Sequence, residues 1–181
     1  MNIAVFLAST EGNDPAFRAA TAEVGRLIAE GGHTLVFGGT RFGLMGICCD
    51  AVLEHGGKVI AVEPNTEFIR AKLHPGATEV IWTNSMAERK STMNKLADAF
   101  IAMPGGPGTF DEAGDIMALH KTGEMTKPLV FMNTNGYYEP LKVLFENMRA
   151  NGFWGIGRGL ELIADTPNEA FSFINESVKS R

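Results

Sequence analysis

The sequence predicts an α/β fold in which a parallel β-sheet is covered by helices on both faces. Short apolar runs of strand length alternate with longer segments whose apolar residues recur at helical spacing. The apolar runs are continuous, which is typical of strands buried on both faces. Glycine-rich segments at 38–46 and 105–108 each follow such a run and precede a helical pattern, as loops at the carboxyl edge of a parallel sheet do.

The alternation of strands and helices can be followed along the chain. Asp14 with Pro15 indicates a helix start, because aspartate caps helices and proline suits their first turn. Glycine pairs indicate where the first two helices end. The segment 63–76 is polar and contains proline, which predicts a connection that is irregular or partly helical. The predicted strands are 3–8, 34–37, 58–62, 77–82, 99–103, 127–132 and 160–163, and the predicted helices are 15–30, 47–54, 85–97, 109–122, 138–150 and 168–178.

Length, charge and cysteine content restrict the class of protein. The chain has 181 residues, enough for one α/β core, so we expect a single domain over 1–181. Its net charge of −5 argues against a nucleic-acid or membrane-surface binder, since such proteins need clustered lysine and arginine. The apolar run 3–8 is too short for a secretory signal or a membrane span. The adjacent Cys48 and Cys49 cannot form a normal disulfide with each other, so we expect a cytoplasmic protein.

The segment DAFIAMPGGPGTFDE at 98–112 is the candidate ligand edge. Its apolar run leads into Gly105, Gly106 and Gly108, and glycines allow the backbone to approach a ligand closely. The first turn of the following helix has unpaired N–H groups and the positive end of the helix dipole. Together these features predict an anion site, most naturally for a phosphate.

A second interpretation of the same segment needs no ligand. Thr109 as an N-cap with Glu112 three residues later would form a capping box, so the segment could simply be a capped helix N-terminus. The spacing alone leaves both interpretations open. The other glycine loop also lies where a strand ends and a helix begins, so both loops should converge on one crevice.

The helix before the candidate ligand edge carries two basic residues in the segment MAERK at 86–90. On a helical wheel, Met86 and Met93 share a stripe, and Arg89 and Lys90 flank it within roughly 60° on opposite sides. Both side chains can lie along an apolar stripe with their charges in solvent and have no function. Alternatively they are held toward the crevice, where Arg89 would offer fixed charged donors to a ligand oxygen.

Three motifs resemble those of one protein family. PGGPGTFDE at 104–112, VFGGTRFGLMG at 36–46 and MAERK at 86–90 are similar to the PGGxGTxxE, YGGGxxGLMG and MHxRK motifs of the LOG (Lonely Guy) family. Its members are cytokinin riboside 5′-monophosphate phosphoribohydrolases, which are often labelled lysine decarboxylases. The similarity runs nearly end to end, from VFLAST at 5–10 to GF at 152–153.

The resemblance implies a Rossmann-like sheet, usually in a homodimer, and hydrolysis of the N-glycosidic bond between a purine base and ribose 5-phosphate. By resemblance, Arg89 and Glu112 are the catalytic pair and Lys90 is a neighbouring substrate contact. Neither a cofactor nor a metal is implied. The other substrate-binding positions implied are Gly105, Gly106, Gly108 and Thr109 in the phosphate cradle, and Ser9, Gly38, Gly39 and Gly43 in the remaining loops.

Some positions differ from the family pattern. Ala87, Ala118 and Leu119 replace family residues on the substrate side, so the preferred base, cytokinin-type or adenine, is left open. Glu67 is similar to a substrate-binding glutamate after the third strand but is not assigned to the site. The retained Arg89 and Glu112 favour hydrolysis over the alternative of a nucleotide or molybdenum-cofactor binding protein. Lysine decarboxylation needs a Schiff-base lysine, and the sequence singles out none.

Overall fold

The computed structural model describes residues 1–154 and 160–180. Within these ranges the strands form one parallel seven-stranded sheet, in the order β4-β3-β2-β1-β5-β6-β7. The strands are β1 (Asn2–Phe6), β2 (Thr34–Phe37), β3 (Lys58–Pro64), β4 (Glu79–Thr83), β5 (Ala99–Ala102), β6 (Leu129–Met132) and β7 (Glu161–Ala164). The predicted α/β fold with a parallel sheet is therefore confirmed.

Helices connect successive strands and cover both faces of the sheet. They are α1 (Pro15–Glu30), α2 (Gly43–Glu54), α3 (Glu67–Arg70), α4 (Met86–Leu96), α5 (Pro107–Thr122), α6 (Glu139–Ala150) and α7 (Pro167–Lys179). Over the ranges that the structure describes, none of these helices combines the length and apolarity that crossing a membrane requires.

Two boundaries differ from the sequence prediction for a physical reason. The first strand ends at Phe6 instead of residue 8, and α2 begins at Gly43 instead of Ile47. Gly43 has a φ of +59°, and a Cβ there would contact the backbone of Ser9. Only glycine lets the helix begin this close to the loop that follows β1. A pattern of apolar residues cannot reveal such a boundary, because the packing partner lies more than thirty residues away in the chain.

Each face of the sheet has its own apolar core. One core packs α1, α2 and α7 against the sheet through buried residues such as Val24, Val52 and Ile174. The other core packs α4, α5 and α6 through Met93, Ile116 and Phe145, among others. Because both faces are covered, the carboxyl and amino edges of the strands are the natural places for polar sites.

The order in which the chain adds strands to the sheet reverses between β1 and β5. The chain runs outward through β2, β3 and β4, then returns to place β5 on the other side of β1. Loops leaving neighbouring strands at such a switch point diverge and leave a crevice between them. The loops after β1 and β5 are the ones that flank this point.

At the amino edge, a buried histidine joins three elements. Nδ1 of His120, near the end of α5, lies 2.7 Å from Oε1 of Glu161 at the start of β7. Nε2 of the same ring lies 2.8 Å from the carbonyl oxygen of Lys127, which precedes β6. We call His120 and Glu161 the amino-edge pair. Each ring nitrogen lies within hydrogen-bond distance of an oxygen, so the ring connects α5 to both β6 and β7.

Candidate active site

A cleft of about 510 Å³ opens at the switch point of the sheet. The loops after β1, β2 and β5 contribute to its lining, together with the end of β3 and the first turns of α4 and α5. Both glycine loops reach this cleft, as expected from their positions at strand ends. The predicted site residues that line it are Ser9, Gly38, Arg89, Lys90, Gly106, Gly108, Thr109 and Glu112.

The N-terminus of α5 faces the cleft without a cap. The N-cap residue is Gly106, and within the part of the chain that the structure describes no side chain caps this end. The capping-box interpretation is wrong, because Thr109 lies inside the first turn and is buried. A Cβ added at Gly106 or Gly108 would meet no protein atom within 4 Å. The first turn therefore presents free N–H groups and empty space, the two requirements of an anion site.

The loop that leads into α5 is fixed from behind by two tyrosines. The Tyr137 hydroxyl donates a 2.6 Å hydrogen bond to the Gly105 carbonyl oxygen. The hydroxyl of Tyr138 donates to the Met103 carbonyl oxygen at 2.8 Å. A Cβ at Gly105 would collide with the Thr109 side chain. The cradle is thus held in its conformation before any ligand arrives, which lowers the entropic cost of binding.

The second glycine loop has a different role from the first. The N–H groups of Leu44 and Met45 at the start of α2 donate to the Thr10 and Ala8 carbonyl oxygens, at 3.4 and 3.3 Å. This helix end is therefore already occupied by the backbone. A Cβ at Gly38 would collide with the Arg89 guanidinium, so this glycine makes room for the arginine.

Three predicted binding positions lie behind the lining of the cleft. Gly39, with a φ of +81°, packs against the Glu63 side chain, and its carbonyl oxygen accepts from the His74 N–H. Gly43 packs on the backbone of Ser9, and Gly105 packs on Thr109. These glycines shape the site, and their direct contact with a ligand stays a prediction.

Arg89 is the central cation of the cleft. Only 7% of its surface is exposed, although it belongs to a helix that begins at the protein surface. Its Nε donates to the Val62 carbonyl oxygen at 3.0 Å, and its Nη1 donates to Glu112 Oε1 at 2.7 Å. The interpretation of Arg89 as a surface side chain with its charge in solvent is wrong. Its guanidinium is instead a fixed donor inside the cleft.

Two carboxyl groups flank this guanidinium. The Glu112 side chain is 11% exposed and hydrogen-bonded to Arg89, while Glu63 Oε2 lies 3.6 Å from Arg89 Nε. Burial raises the pKa of Glu112 above its usual range, against the opposing effect of Arg89. Burial likewise raises the pKa of Glu63 to about 7, and repulsion from Glu112 adds to the rise. One guanidinium does not compensate both carboxylates, so the cleft favours protonation of one of them at neutral pH.

Glu63 is a site residue that the sequence patterns did not reveal. Glu67, which is similar to a substrate-binding glutamate of the family, is exposed on α3 and does not line the cleft. Glu63 ends the apolar run VIAVE within β3 and is 6% exposed. The available signal was a lone glutamate closing a buried strand at the carboxyl edge, where side chains meet the ligand crevice.

The rim of the cleft carries further charged and apolar groups. Lys90 Nζ pairs with the exposed Asp111 carboxylate at 3.0 Å. Lys72 Nζ lies 3.7 Å from the centroid of the Phe68 ring. Phe68 and Met86 line the cleft and are largely exposed, so the rim offers apolar surface to a planar group. Over residues 1–154 and 160–180, no cluster of three histidine, cysteine or acidic side chains is arranged to hold a metal ion.

The arrangement combines the parts of a hydrolytic site for a phosphate ester of a sugar. A free helix N-terminus can hold a phosphate, a fixed guanidinium can stabilise negative charge, and a buried carboxylate beside it can orient or deprotonate water. Each group belongs to a different element, and the fold brings them together at one edge of the sheet.

Comparisons with known proteins identify the family of the chain. A protein-family model described as "Possible lysine decarboxylase" matches residues 45–173. A cytokinin riboside 5′-monophosphate phosphoribohydrolase of Rhodococcoides fascians is 37% identical over 153 residues, which cover 84% of this chain and 77% of the relative. An enzyme of the same name from Arabidopsis thaliana is 33% identical over 166 residues, covering 92% and 78%.

Solved structures show the same fold at lower identity. The Moco Carrier Protein from Chlamydomonas reinhardtii superimposes with a TM-score of 0.75 at 22% identity, covering 99% of this chain and 98% of the carrier. The molybdenum cofactor binding protein of Rippkaea orientalis superimposes with a TM-score of 0.71 at 23% identity, covering 97% and 95%. At these identities the likeness concerns the backbone arrangement.

Proposed function

The chain belongs to the LOG (Lonely Guy) family, and on that premise we propose that it hydrolyses the N-glycosidic bond of a purine riboside 5′-monophosphate, releasing the free base and ribose 5-phosphate. The observation that carries the proposal is the Arg89–Glu112 pair, buried beside the uncapped N-terminus of α5. The sequence motifs of the family fall on the same residues.

We expect the phosphate, ribose and base of such a substrate to lie in succession along the cleft. The phosphate binds at the N–H groups of the first turn of α5, near Gly106 to Thr109. Glu112 lies about one turn further along the same helix, so we expect its carboxylate to lie level with the ribose and not with the phosphate. The base extends toward the end of β3 and the apolar rim formed by Phe68 and Met86.

Hydrolysis needs a charge arrangement that suits an oxocarbenium-like transition state. The ionised Glu112 stabilises positive charge developing on the ribose and accepts a proton from the attacking water. Arg89 holds this carboxylate in place through the 2.7 Å hydrogen bond. Because Glu112 acts as a base, turnover is lost as the pH falls through its pKa, which burial places above the usual carboxyl range.

Decarboxylation of lysine, which the description of the matching family suggests, fits the cleft poorly. That reaction needs pyridoxal phosphate on a lysine, and such lysines are commonly desolvated or close to another cation. In the described part of the cleft lining the lysines are Lys72 and Lys90. Lys90 is paired with Asp111, and Lys72 lies over the Phe68 ring at the exposed rim.

A substrate panel tests the proposed reaction. The protein is incubated separately with nucleoside 5′-monophosphates, the corresponding nucleosides and lysine, and released base, ribose 5-phosphate and cadaverine are measured. We expect base and ribose 5-phosphate from purine monophosphates and no base from the nucleosides, since these lack the phosphate that the α5 N-terminus binds. Binding of monophosphates without release of base would instead support the nucleotide-binding alternative, and release of cadaverine would contradict both.

We also propose that the chain forms a homodimer. The supporting feature is exposed apolar surface beside the cleft, where Phe110, Tyr137 and Leu144 line one shallow groove. Sedimentation at micromolar concentration should give the mass of two chains. A stable monomer under these conditions would contradict the proposed homodimer but not the proposed hydrolysis.

A further inference from the structure

Glu63 is a carboxyl group of the cleft for which the reaction above has no role. It is nearly buried at the end of β3, and it lines the cleft. Among the residues that the structure describes, its side chain has no hydrogen-bond partner; Arg89 Nε is 3.6 Å away and donates to the Val62 carbonyl oxygen instead. Glu63 thus has an ion-pair contact with Arg89 but no hydrogen bond, and a nearly buried carboxyl group without a hydrogen bond is costly unless a ligand supplies one.

Its position along the sheet places Glu63 far from the phosphate. The strand order β3-β2-β1-β5 separates β3 from β5 by three strand spacings, about 14 Å at ~4.8 Å per spacing. The α5 N-terminus follows β5, and the Arg89–Glu112 pair lies between the two ends. A nucleotide anchored by its phosphate on α5 and lying along this edge brings its base to Glu63.

The surroundings of Glu63 favour its neutral, proton-bearing form. Its pKa is raised to about 7 by burial, with repulsion from Glu112 on α5 adding to the rise and Arg89 on α4 opposing it. The other charged side chains that line the cleft are Lys72 after α3, Lys90 on α4 and Asp111 on α5, and the last two neutralise each other. A bound phosphate adds negative charge to the cleft and favours the neutral form further.

Resting on the proposed hydrolysis, we propose that Glu63 is the acid that donates a proton to the departing base. As the N-glycosidic bond breaks, its electron pair moves to the base, and the carboxyl proton of Glu63 goes to a ring nitrogen of that base. The water oxygen forms the new bond to the ribose, and its proton goes to Glu112. Transfer of that proton through solvent to Glu63 restores the starting state.

The two carboxyl groups then divide the chemistry between them. A purine leaves as a neutral molecule only if it gains a proton, and a general acid typically contributes about 10²- to 10⁴-fold to such a step. Glu112 must be ionised and Glu63 must be protonated. Turnover therefore falls at low pH as Glu112 gains a proton and falls again above about pH 7 as Glu63 loses its proton, which gives a bell-shaped profile.

The test compares Glu63→Gln with the parent on two substrates. One is adenosine 5′-monophosphate, and the other is its N7-methylated analogue, whose base already carries a positive charge and leaves without an added proton. We expect Glu63→Gln to lose at least about 100-fold in kcat on the first substrate and less than about tenfold on the second. The fall in kcat above about pH 7 should disappear from the variant's profile.

The outcomes separate the role of Glu63 from the proposed function. If Glu63 only positions Arg89, Glu63→Gln loses the same factor on both substrates, and the proposal is overturned. If the parent releases base from neither substrate, the hydrolysis itself is contradicted. Activity of the variant on the N7-methylated substrate shows that it is folded. Glu79→Gln, at an exposed glutamate that starts β4, is the control and should match the parent on both substrates.

Discussion

The amino-edge pair and the Arg89–Glu112 pair each join a buried carboxyl group to a buried nitrogen donor, and they differ in what surrounds them. At the amino edge, His120 meets one carboxylate and one carbonyl oxygen, and both ring nitrogens are used. At the carboxyl edge, Arg89 faces two carboxyl groups and bonds to only one of them, beside an uncapped helix end and an open cleft. The first arrangement is complete, whereas the second has unused donors and acceptors.

The difference indicates where the fold stabilises itself and where it prepares for a ligand. A buried contact in which every polar atom of the ring has a partner holds elements together, here α5, β6 and β7, and leaves no free donor or acceptor for a substrate. An excess of buried carboxyl groups raises their pKa and costs stability, which is typical of sites that bind or transform a ligand. Variants of the two regions should therefore separate stability from turnover.

The largest expected effect is on stability, at the amino-edge pair. His120→Ala leaves the nearly buried Glu161 carboxyl group without its hydrogen-bond partner, and leaving a buried charged acceptor unpaired typically costs about 3 kcal/mol or more of unfolding free energy. Urea denaturation measures this loss. Turnover per folded molecule should equal that of the parent, and a loss of turnover at unchanged stability would contradict the assignment of this pair to the scaffold.

The contribution of Glu63 to stability should fall as the pH rises from 4.5 to about 7. Its pKa is about 7 in the folded protein, against an ordinary glutamate value of 4.5, so the folded state binds more protons within that window and stability falls as the pH rises through it. The decline amounts to about 3 kcal/mol. Glu63→Gln should lose this part of the decline in unfolding free energy, whereas Glu79→Gln should keep it. An unchanged pH dependence in Glu63→Gln would show that Glu63 is ionised in the folded protein.

Arg89→Lys tests whether the guanidinium itself is required. A lysine ammonium is a single point charge and cannot reproduce the separate bonds to Val62 and Glu112, so turnover should fall about 100-fold, or about 2.7 kcal/mol. The matched control is Arg26→Lys, because Arg26 also lies between two glutamates but on the surface of α1. Arg26→Lys should have the turnover of the parent. Equal losses of turnover in Arg89→Lys and Arg26→Lys would contradict a specific role for the Arg89 guanidinium in the cleft.

The smallest expected effect concerns the cradle. Gly106→Ala adds a methyl group that meets no protein atom within 4 Å, so thermal stability should change little. The methyl group occupies space that the phosphate needs, and the KM for a nucleoside monophosphate should rise about tenfold, which corresponds to about 1.4 kcal/mol. Gly114→Ala, at an equally open glycine within α5, should leave KM unchanged. A KM equal to that of the parent for Gly106→Ala would contradict phosphate binding at this helix end.

The sequence predicted the strands, the edge of the sheet and the segment that forms the cradle, because these depend on local patterns. It did not decide between capping and anion binding at Thr109, since that depends on where the helix begins in three dimensions. Glu63 could not be predicted because the charged groups near it, Arg89 on α4 and Glu112 on α5, are distant in the sequence and no motif marks it. The closed N-terminus of α2 could not be foreseen, as the carbonyl groups that occupy it belong to the loop after β1.

The most direct test replaces the carboxylate of each pair with an amide of the same size and measures the release of base from a purine nucleoside 5′-monophosphate. Glu112→Gln should release base at least about 100-fold more slowly than the parent, with an unfolding free energy that is unchanged or higher, because a buried charge is removed. Glu161→Gln should release base at the parent rate per folded molecule and be less stable. Release of base by Glu112→Gln at the parent rate would contradict the catalytic role of the Arg89–Glu112 pair.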